Sequence, residues 1–286
     1  MAAVLLAAWL LPGQAQAQKR NIIRDAEIEA LLREYALPLF RAAGIPANAG
    51  EVVIVSSSKI NAFVSSGQRI YVHTGLITEA DTPNEVIGVL AHEIGHIAGG
   101  HHARSRDEIA RASIGSVVSM IAGAAAIAGG VATGNSDVSK AAVGLMRGGQ
   151  GAFQRNFLRY AREQESAADQ AALRYLEATG QSAKGMLRLF ERLSDQMLVA
   201  VRNIDPYVMS HPLPRERINL LADSVSRGRY YNTPDAPELV LRHQLAQAKI
   251  LAYLGRPSTV QRRYGAGDTG PVSYTHLTLP TIQHWC

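Results

Sequence analysis

The chain has 286 residues, 47% of them hydrophobic and 19% charged, and carries a formal net charge of +5. These values are ordinary for a folded globular protein with enough apolar side chains for one large or two modest domains. The positive charges form no run of five or six, so we expect no nucleic-acid partner. A single cysteine, Cys286, excludes an intramolecular disulfide framework.

The two ends of the chain differ in composition from its middle. Residues 1–17, MAAVLLAAWLLPGQAQA, are uncharged and apolar and end in small residues, which predicts a secretory signal peptide. A buried N-terminal helix is the alternative. Residues 272–281, VSYTHLTLPT, resemble a translated sequencing adapter. We therefore expect residues 272–286 to be a non-native tail, with the natural sequence truncated near Pro271.

The first third of the chain predicts a helix and then a small sheet. Residues 25–43 place apolar side chains at helical spacing. Three runs rich in β-forming residues follow at 52–55, 60–64 and 69–73, separated by SSSK and SSGQ, which have the composition of turns. We interpret the three runs as a small antiparallel sheet.

The segment Thr82-Pro83-Asn84-Glu85 has the composition of a helix start. It offers a hydroxyl at the N-cap, a proline at the first helical position and a glutamate three residues after the threonine, which together predict a capping box. The helix that follows has an apolar stripe ending at Ile97.

The second half of the chain is predicted to be helical. Residues 112–136 contain no charged residue and are rich in alanine and glycine. Their length would span a bilayer, but alanine and glycine contribute little transfer free energy, so we favour a hairpin with peripheral membrane contact over a true span. Further helices are predicted at 153–179, 183–197, 214–227 and 236–254.

The segment AHEIGHIAGG contains the pattern HExxH. Histidines four residues apart project from the same helix face, so His92 and His96 can bind one metal ion, and imidazole nitrogens suit Zn²⁺. Glu93 points toward the open coordination position and is the candidate general base. The pattern predicts one zinc ion per chain. Two chance histidines on a surface helix are the alternative.

A catalytic zinc ion needs a third protein ligand, and the segment EQESAADQ offers one. Glu165 is the candidate ligand. Asp169 lies four residues later on the same helix face and is the candidate partner for the free ring N–H of a ligand histidine. A solvated acidic helix face is the alternative.

Together the motifs VLAHEIGHIAGGHH, ESAAD and NAFVSSGQRIYVHTGLI give residues 22–225 a resemblance to a known family. The chain resembles the periplasmic gluzincin zinc metallopeptidases of the BepA/LoiP type, which are related to HtpX and the CAAX prenyl protease. The resemblance implies an α+β fold, a mainly helical zincin-like domain with a small antiparallel β-sheet. It assigns the zinc ligands, the base and a supporting carboxylate to His92, His96, Glu165, Glu93 and Asp169.

The family also has a His-Pro motif, which corresponds here to SHPLPRERI and places its histidine at His211. The resemblance implies two roles for His211. It either occupies the fourth zinc position and holds the enzyme latent, or stabilises the oxyanion of the transition state. A loop-capping role is the alternative, and we interpret Arg217 as an ion-pair anchor for the same loop.

The resemblance implies a zinc-dependent endopeptidase of the cell envelope. It would lie in the periplasm, cleave misfolded or unassembled outer-membrane proteins and contact the outer-membrane assembly machinery. A chaperone-like assembly factor with latent protease activity is the alternative, and an integral membrane protease is a second one. The predicted organisation is a signal peptide (1–17), a zinc metalloprotease domain (18–230), the start of a C-terminal helical, tetratricopeptide-like region (231–271) and the tail (272–286).

Overall fold

A computed structural model of the protein describes residues 21–46, 48, 50–65, 68–105, 107, 158–199 and 206–255. The predicted signal peptide, the predicted membrane-facing segment 112–136 and the predicted tail all lie outside these residues. Among the helices that the structure describes, none combines the length and the hydropathy needed to cross a bilayer.

The first helix, α1 (Ala26–Ala42), confirms the helix predicted at 25–43. Asp25 caps its start, because its carboxylate accepts hydrogen bonds from the N–H groups of Glu27 (3.1 Å) and Ile28 (3.0 Å). One face of α1 is buried and forms part of the core through Ile28, Leu31, Leu32, Tyr35, Ala36, Leu39 and Phe40.

The sheet has four strands among the described residues: β1 (Ile22–Ile23), β2 (Glu51–Val55), β3 (Ala62–Ser65) and β4 (Arg69–His73). Their order across the sheet is β1-β2-β4-β3. The outer pairs are antiparallel, but β2 and β4 run parallel. The α+β prediction is confirmed, whereas the prediction of an antiparallel sheet is wrong in this respect, because the sheet is mixed.

The parallel pair has a structural cause in the connection between β2 and β3. That connection carries the chain past the position that β4 later fills, so β3 becomes the edge strand and the β3–β4 hairpin returns β4 beside β2. Thr74 stabilises this connection, since its hydroxyl donates to the carbonyl of Ser57 (2.8 Å) and accepts from the Ser57 N–H (3.1 Å).

The chain continues through α2 (Thr74–Glu79) into α3 (Pro83–Ala98), the helix that carries HExxH. Pro83 begins α3, as predicted, but the Thr82 hydroxyl makes no capping hydrogen bond, so that part of the predicted capping box is wrong. The Glu85 carboxylate accepts instead from the N–H of Asp81 (3.1 Å). The N–H of Glu85, which the hydroxyl would have capped, donates to the Thr82 carbonyl at 3.2 Å.

Six further helical segments follow α3 in the part of the chain that the structure describes. They are α4 (101–105), α5 (158–178), α6 (Lys184–Val199), α7 (Pro206–Ser210), α8 (Arg215–Ser226) and α9 (Pro237–Leu254). Helix α3 packs against α1, α6 and β3, and α6 packs against α8. The HExxH helix is therefore the centre of the core.

Helix α9 packs on α1 and α2. The Gln247 amide lies at the end of α2 and donates to the carbonyls of Ile77 (3.0 Å) and Ala80 (2.7 Å). Ala246 and Ile250 belong to the hydrophobic core. The segment that the sequence assigned to a region beginning at 231 thus shares the core of the preceding residues.

Glu85 is a buried acid near the start of α3, only 1% exposed. Arg192 of α6 donates to its carboxylate at 2.9 Å and to that of Asp81 at 2.8 Å. Burial raises the pKa of Glu85, while Arg192 opposes the shift. The ion pair joins α6 to α3.

Replacing Arg192 by alanine is expected to lower the free energy of unfolding by about 3 kcal/mol, because a buried carboxylate that loses its partner costs about 3 to 5 kcal/mol. Urea denaturation would measure the loss. Arg188→Ala is the matched control, since Arg188 is exposed one turn earlier on α6. Equal losses in the two variants would contradict the role of the Glu85 ion pair.

Candidate metal centre

Four buried side chains converge beside the middle of α3. They come from α3, α5 and the loop after α7, and are His92, His96, Glu165 and His211. One ligand atom from each lies within 4.8 Å of every other. The Nε2 atoms of His92 and His96 are 3.0 Å apart, and Nε2 of His96 is 3.3 Å from a Glu165 oxygen. Three imidazoles and one carboxylate therefore share one small volume.

Helix α3 sets the positions of the first two side chains. His92 and His96 are separated by four residues, so their rings lie one turn apart, with centres 4.7 Å from each other. The ring of Phe190 meets His92 edge to face, with centres 5.7 Å apart. The two histidines lie inside the packed core rather than on a solvated helix surface.

Gly95, inside the HExxH pattern, allows α5 to approach α3 closely. A Cβ atom at this position would lie 2.8 Å from the carbonyl oxygen of Ala168 and 3.1 Å from its Cα. Both of these are backbone atoms, so a side chain could fit only if a helix moved. The close approach brings Glu165 of α5 within reach of the two histidines.

Asp169 and Arg217 lie behind the converging side chains. Nδ1 of His92 is 3.0 Å from an oxygen of Asp169. The Arg217 guanidinium binds the Asp169 carboxylate through two nitrogens, at 2.7 and 2.8 Å. It also donates to Glu165 (2.8 Å) and to the carbonyl of Pro212 (2.9 Å). Arg217 thus does anchor the His211 loop, and it holds two carboxylates of the site as well.

The electrostatics of the site favour positive charge at its centre. Burial lowers the pKa of His92, but Asp169 and Glu165 outweigh it and raise the pKa to about 9. Burial raises the pKa of Glu165, yet hydrogen bonds from His211, His92 and His96 outweigh it and the pKa falls. Either a proton or a metal ion can supply this positive charge. By contrast, burial lowers the pKa of His96 to about 3, which keeps that imidazole neutral, as a metal ligand must be.

Glu93 is fully buried next to this cluster. Neither of its oxygens accepts a well-formed hydrogen bond from the residues that the structure describes, although Nε2 of His211 approaches to 3.4 Å. Burial raises the pKa of Glu93, and the nearby imidazoles of His211 and His92 oppose the shift. A buried carboxylate without a donor is costly, so the site is suited to a further donor such as a water molecule.

These observations fit a metal ion. The donor set consists of imidazole nitrogens and one carboxylate, it is buried, and its nearest atoms point at one another without enough protons to satisfy every pair. Repulsion between such lone pairs is removed when a cation accepts them. The structure brings together His92, His96, Glu165 and His211, with Glu93 and Asp169 in contact, as the sequence predicted.

Two more side chains touch the histidines of the site. The Tyr207 ring stacks on His211, with ring centres 4.7 Å apart and planes at 29°. Nδ1 of His101 lies 2.9 Å from Nδ1 of His96. The sequence carried a signal for His101, since it follows His96 by five residues across a Gly-Gly pair, but none for Tyr207.

A mainly helical domain with a small mixed sheet and a buried HExxH helix facing a glutamate of a second helix defines a metallopeptidase. Residues 23–225 match the model of peptidase family M48. The chain belongs to this family.

Curated relatives carry names of the same kind. A putative beta-barrel assembly-enhancing protease of Vibrio cholerae is 32% identical over 204 residues, which cover 70% of this chain and 38% of the relative. The beta-barrel assembly-enhancing protease of Escherichia coli K12 is 24% identical over 81% of this chain and 42% of its own length. Metalloprotease YcaL of the same strain is 28% identical over 62% of each chain. The chain spans about two fifths of the length of the first two relatives.

Proposed function

We propose that this protein is a zinc-dependent endopeptidase of the cell envelope that hydrolyses misfolded or unassembled outer-membrane proteins. The observation that carries the proposal is the convergence of His92, His96 and Glu165 beside the buried carboxylate of Glu93. The names of the relatives support the substrate class and a link to outer-membrane assembly factors. The predicted signal peptide at 1–17 supports a periplasmic location.

We assign the metal ligands to His92, His96 and Glu165, because two imidazoles and a carboxylate are a donor set that zinc accepts in catalytic sites. When bound there, a zinc ion supplies a water molecule of lowered pKa and a positive charge for the developing oxyanion. Glu93 takes a proton from the attacking water and passes it to the leaving amine. Its raised pKa suits both transfers.

Asp169 and Arg217 hold the ligands in place. The Asp169 carboxylate, 3.0 Å from Nδ1 of His92, fixes the tautomer in which Nε2 carries the lone pair. Arg217 binds Asp169 through two nitrogens and donates a hydrogen bond to Glu165 at 2.8 Å. The ligand set is then in place before a substrate arrives.

The edge strand β3 is the proposed docking site for an extended peptide. It ends the described sheet on the side away from β1 and packs against α3. The backbone of Val64 in β3 also acts on the Glu93 carboxyl and lowers its pKa, against the larger effect of burial. Backbone pairing with β3 would bring a peptide of almost any sequence next to Glu93, which suits a protease for misfolded proteins.

The position of His211 supports the second candidate, an assembly factor whose protease activity is latent. Its Nδ1 lies 3.3 Å from Nε2 of His92 and 3.1 Å from Glu165, at the place of a fourth ligand. Stacking on Tyr207 and the Arg217 contact at Pro212 hold it there. An imidazole in that place excludes the water that the reaction needs.

Replacing His211 by alanine is therefore expected to raise basal casein hydrolysis by about fivefold or more. This gain follows if the His211 ring has left the fourth ligand position in less than about a fifth of the molecules. Zinc content should not change, because the three proposed ligands remain. Met209→Ala is the matched control, since Met209 is exposed two residues away. A fall in activity would show instead that His211 takes part in catalysis.

A further inference from the structure

His101 follows the end of α3 and folds back onto His96. The two Nδ1 atoms are 2.9 Å apart, and the rings are nearly perpendicular, at 81°. Only 6% of His101 is exposed. A contact of this length between two ring nitrogens needs one proton between them, donated by one ring and accepted by the other.

The direction of this hydrogen bond follows from the other nitrogen of His96. Nε2 of His96 faces the centre of the site, 3.0 Å from His92 and 3.3 Å from Glu165. A neutral imidazole that offers its Nε2 lone pair to a metal ion carries its proton on Nδ1. That N–H points at His101, so Nδ1 of His101 is the acceptor.

The turn that places His101 depends on two glycines. Gly100 has a φ of +62°, a left-handed conformation that glycine adopts without strain. Gly99 has an ordinary helical φ of −70°. A Cβ atom on Gly99 would nevertheless lie 2.3 Å from Nε2 of His101. Gly99 therefore leaves the space that the His101 ring fills.

We propose that His101 is a positioning residue that fixes the tautomer and the orientation of His96 for metal binding. The inference rests on the proposed zinc centre and extends it. Asp169 supports His92 in the same way, at 3.0 Å. The two ligand histidines are thus held by different groups, one by a carboxylate and the other by a neutral ring.

The test is the zinc affinity of the full chain, measured by competition with a chromophoric chelator. His101→Ala is expected to weaken zinc binding about 10- to 100-fold, the usual effect of removing the partner of a ligand histidine. His101→Asn should restore most of the affinity, because the amide oxygen of asparagine can accept the same hydrogen bond. Glu163→Ala, at an exposed position of α5 outside the cluster, is the control and should bind as the wild type does.

A double-mutant cycle tests the geometry independently of catalysis. Gly99→Ala should weaken zinc binding, because the new methyl group displaces the His101 ring. The same change in a His101→Ala background should have no further effect, since the ring it would displace is gone. The absorption spectrum of the cobalt(II) form would report the ligand geometry of each variant.

The possible failures are distinguishable. If the wild type binds zinc and His101→Ala binds it equally well, this proposal is overturned and the zinc centre stands. Equal losses in His101→Ala and His101→Asn overturn the acceptor role. A wild-type chain that binds no zinc overturns the proposed function and this proposal together. Circular dichroism checks folding. Should His101→Ala fail to fold, Gly99→Ala, which keeps every polar group, provides the comparison with the wild type.

Discussion

Replacing Glu93 by glutamine is expected to lower casein hydrolysis about 100- to 10,000-fold, the range that a general base contributes. Glutamine has nearly the same shape but cannot accept the proton of the attacking water. The bound zinc should remain, because Glu93 is not a proposed ligand. The fold should also remain, since the buried carboxylate accepts no well-formed hydrogen bond from the described residues and its charge is costly to bury.

The measurement should pair peptide hydrolysis with metal analysis of the same sample. Because His211 is proposed to suppress the basal rate, Glu93→Gln should be assayed both alone and together with His211→Ala. Glu163→Gln is the matched control, an exposed acid on α5 outside the cluster. Near-normal hydrolysis by the Glu93 variant in either background would refute the assignment of the base.

Replacing Glu165 by alanine is expected to remove bound zinc. Loss of a partner of a ligand weakens binding about 10- to 100-fold, so loss of a ligand itself should weaken it by at least about 100-fold. Metal analysis should find one zinc per wild-type chain and a small fraction of that in the variant. Hydrolysis should fall with the zinc content.

Glu163→Ala is the matched control, because it removes a glutamate side chain from an exposed position two residues away on α5. Glu165→Gln adds a second comparison that keeps the volume of the side chain beside Arg217. A full complement of zinc in Glu165→Ala would contradict the proposed ligand set. Zinc lost from both alanine variants would indicate damage to α5 instead.

The sequence predicted the site better than its surroundings. The shared face of His92 and His96 follows from helix periodicity, since four residues make about one turn, and the role of Glu93 follows from the HExxH pattern. Glu165 is 69 positions beyond His96, and its assignment depended on a carboxylate pair at helical spacing and on the family resemblance. Nothing in the local pattern shows that Gly95 admits the backbone of Ala168, which is a property of two packed helices.

In the sheet, the local sequence predicts the positions of the strands but not their pairing. Runs of β-forming residues predict where strands lie, and β3 and β4 begin within two residues of the predicted positions. The composition of these runs does not show which strands are neighbours. The parallel pairing of β2 with β4 depends on how the connection after Val55 crosses the sheet. The Glu85 side chain is a similar case, because the distant Arg192 holds it and its carboxylate accepts from the N–H of Asp81 instead of that of Thr82.

The packing of α9 bears on how a minimal catalytic fragment should be designed. The family match ends at residue 225, but Gln247 satisfies carbonyls at the end of α2, and Ile250 fills the core. A fragment cut at residue 225 or 230 would expose that apolar surface to water and leave those carbonyls without their partner. The smallest stretch that keeps this core closed therefore runs to Leu254, well past the boundary drawn by family similarity.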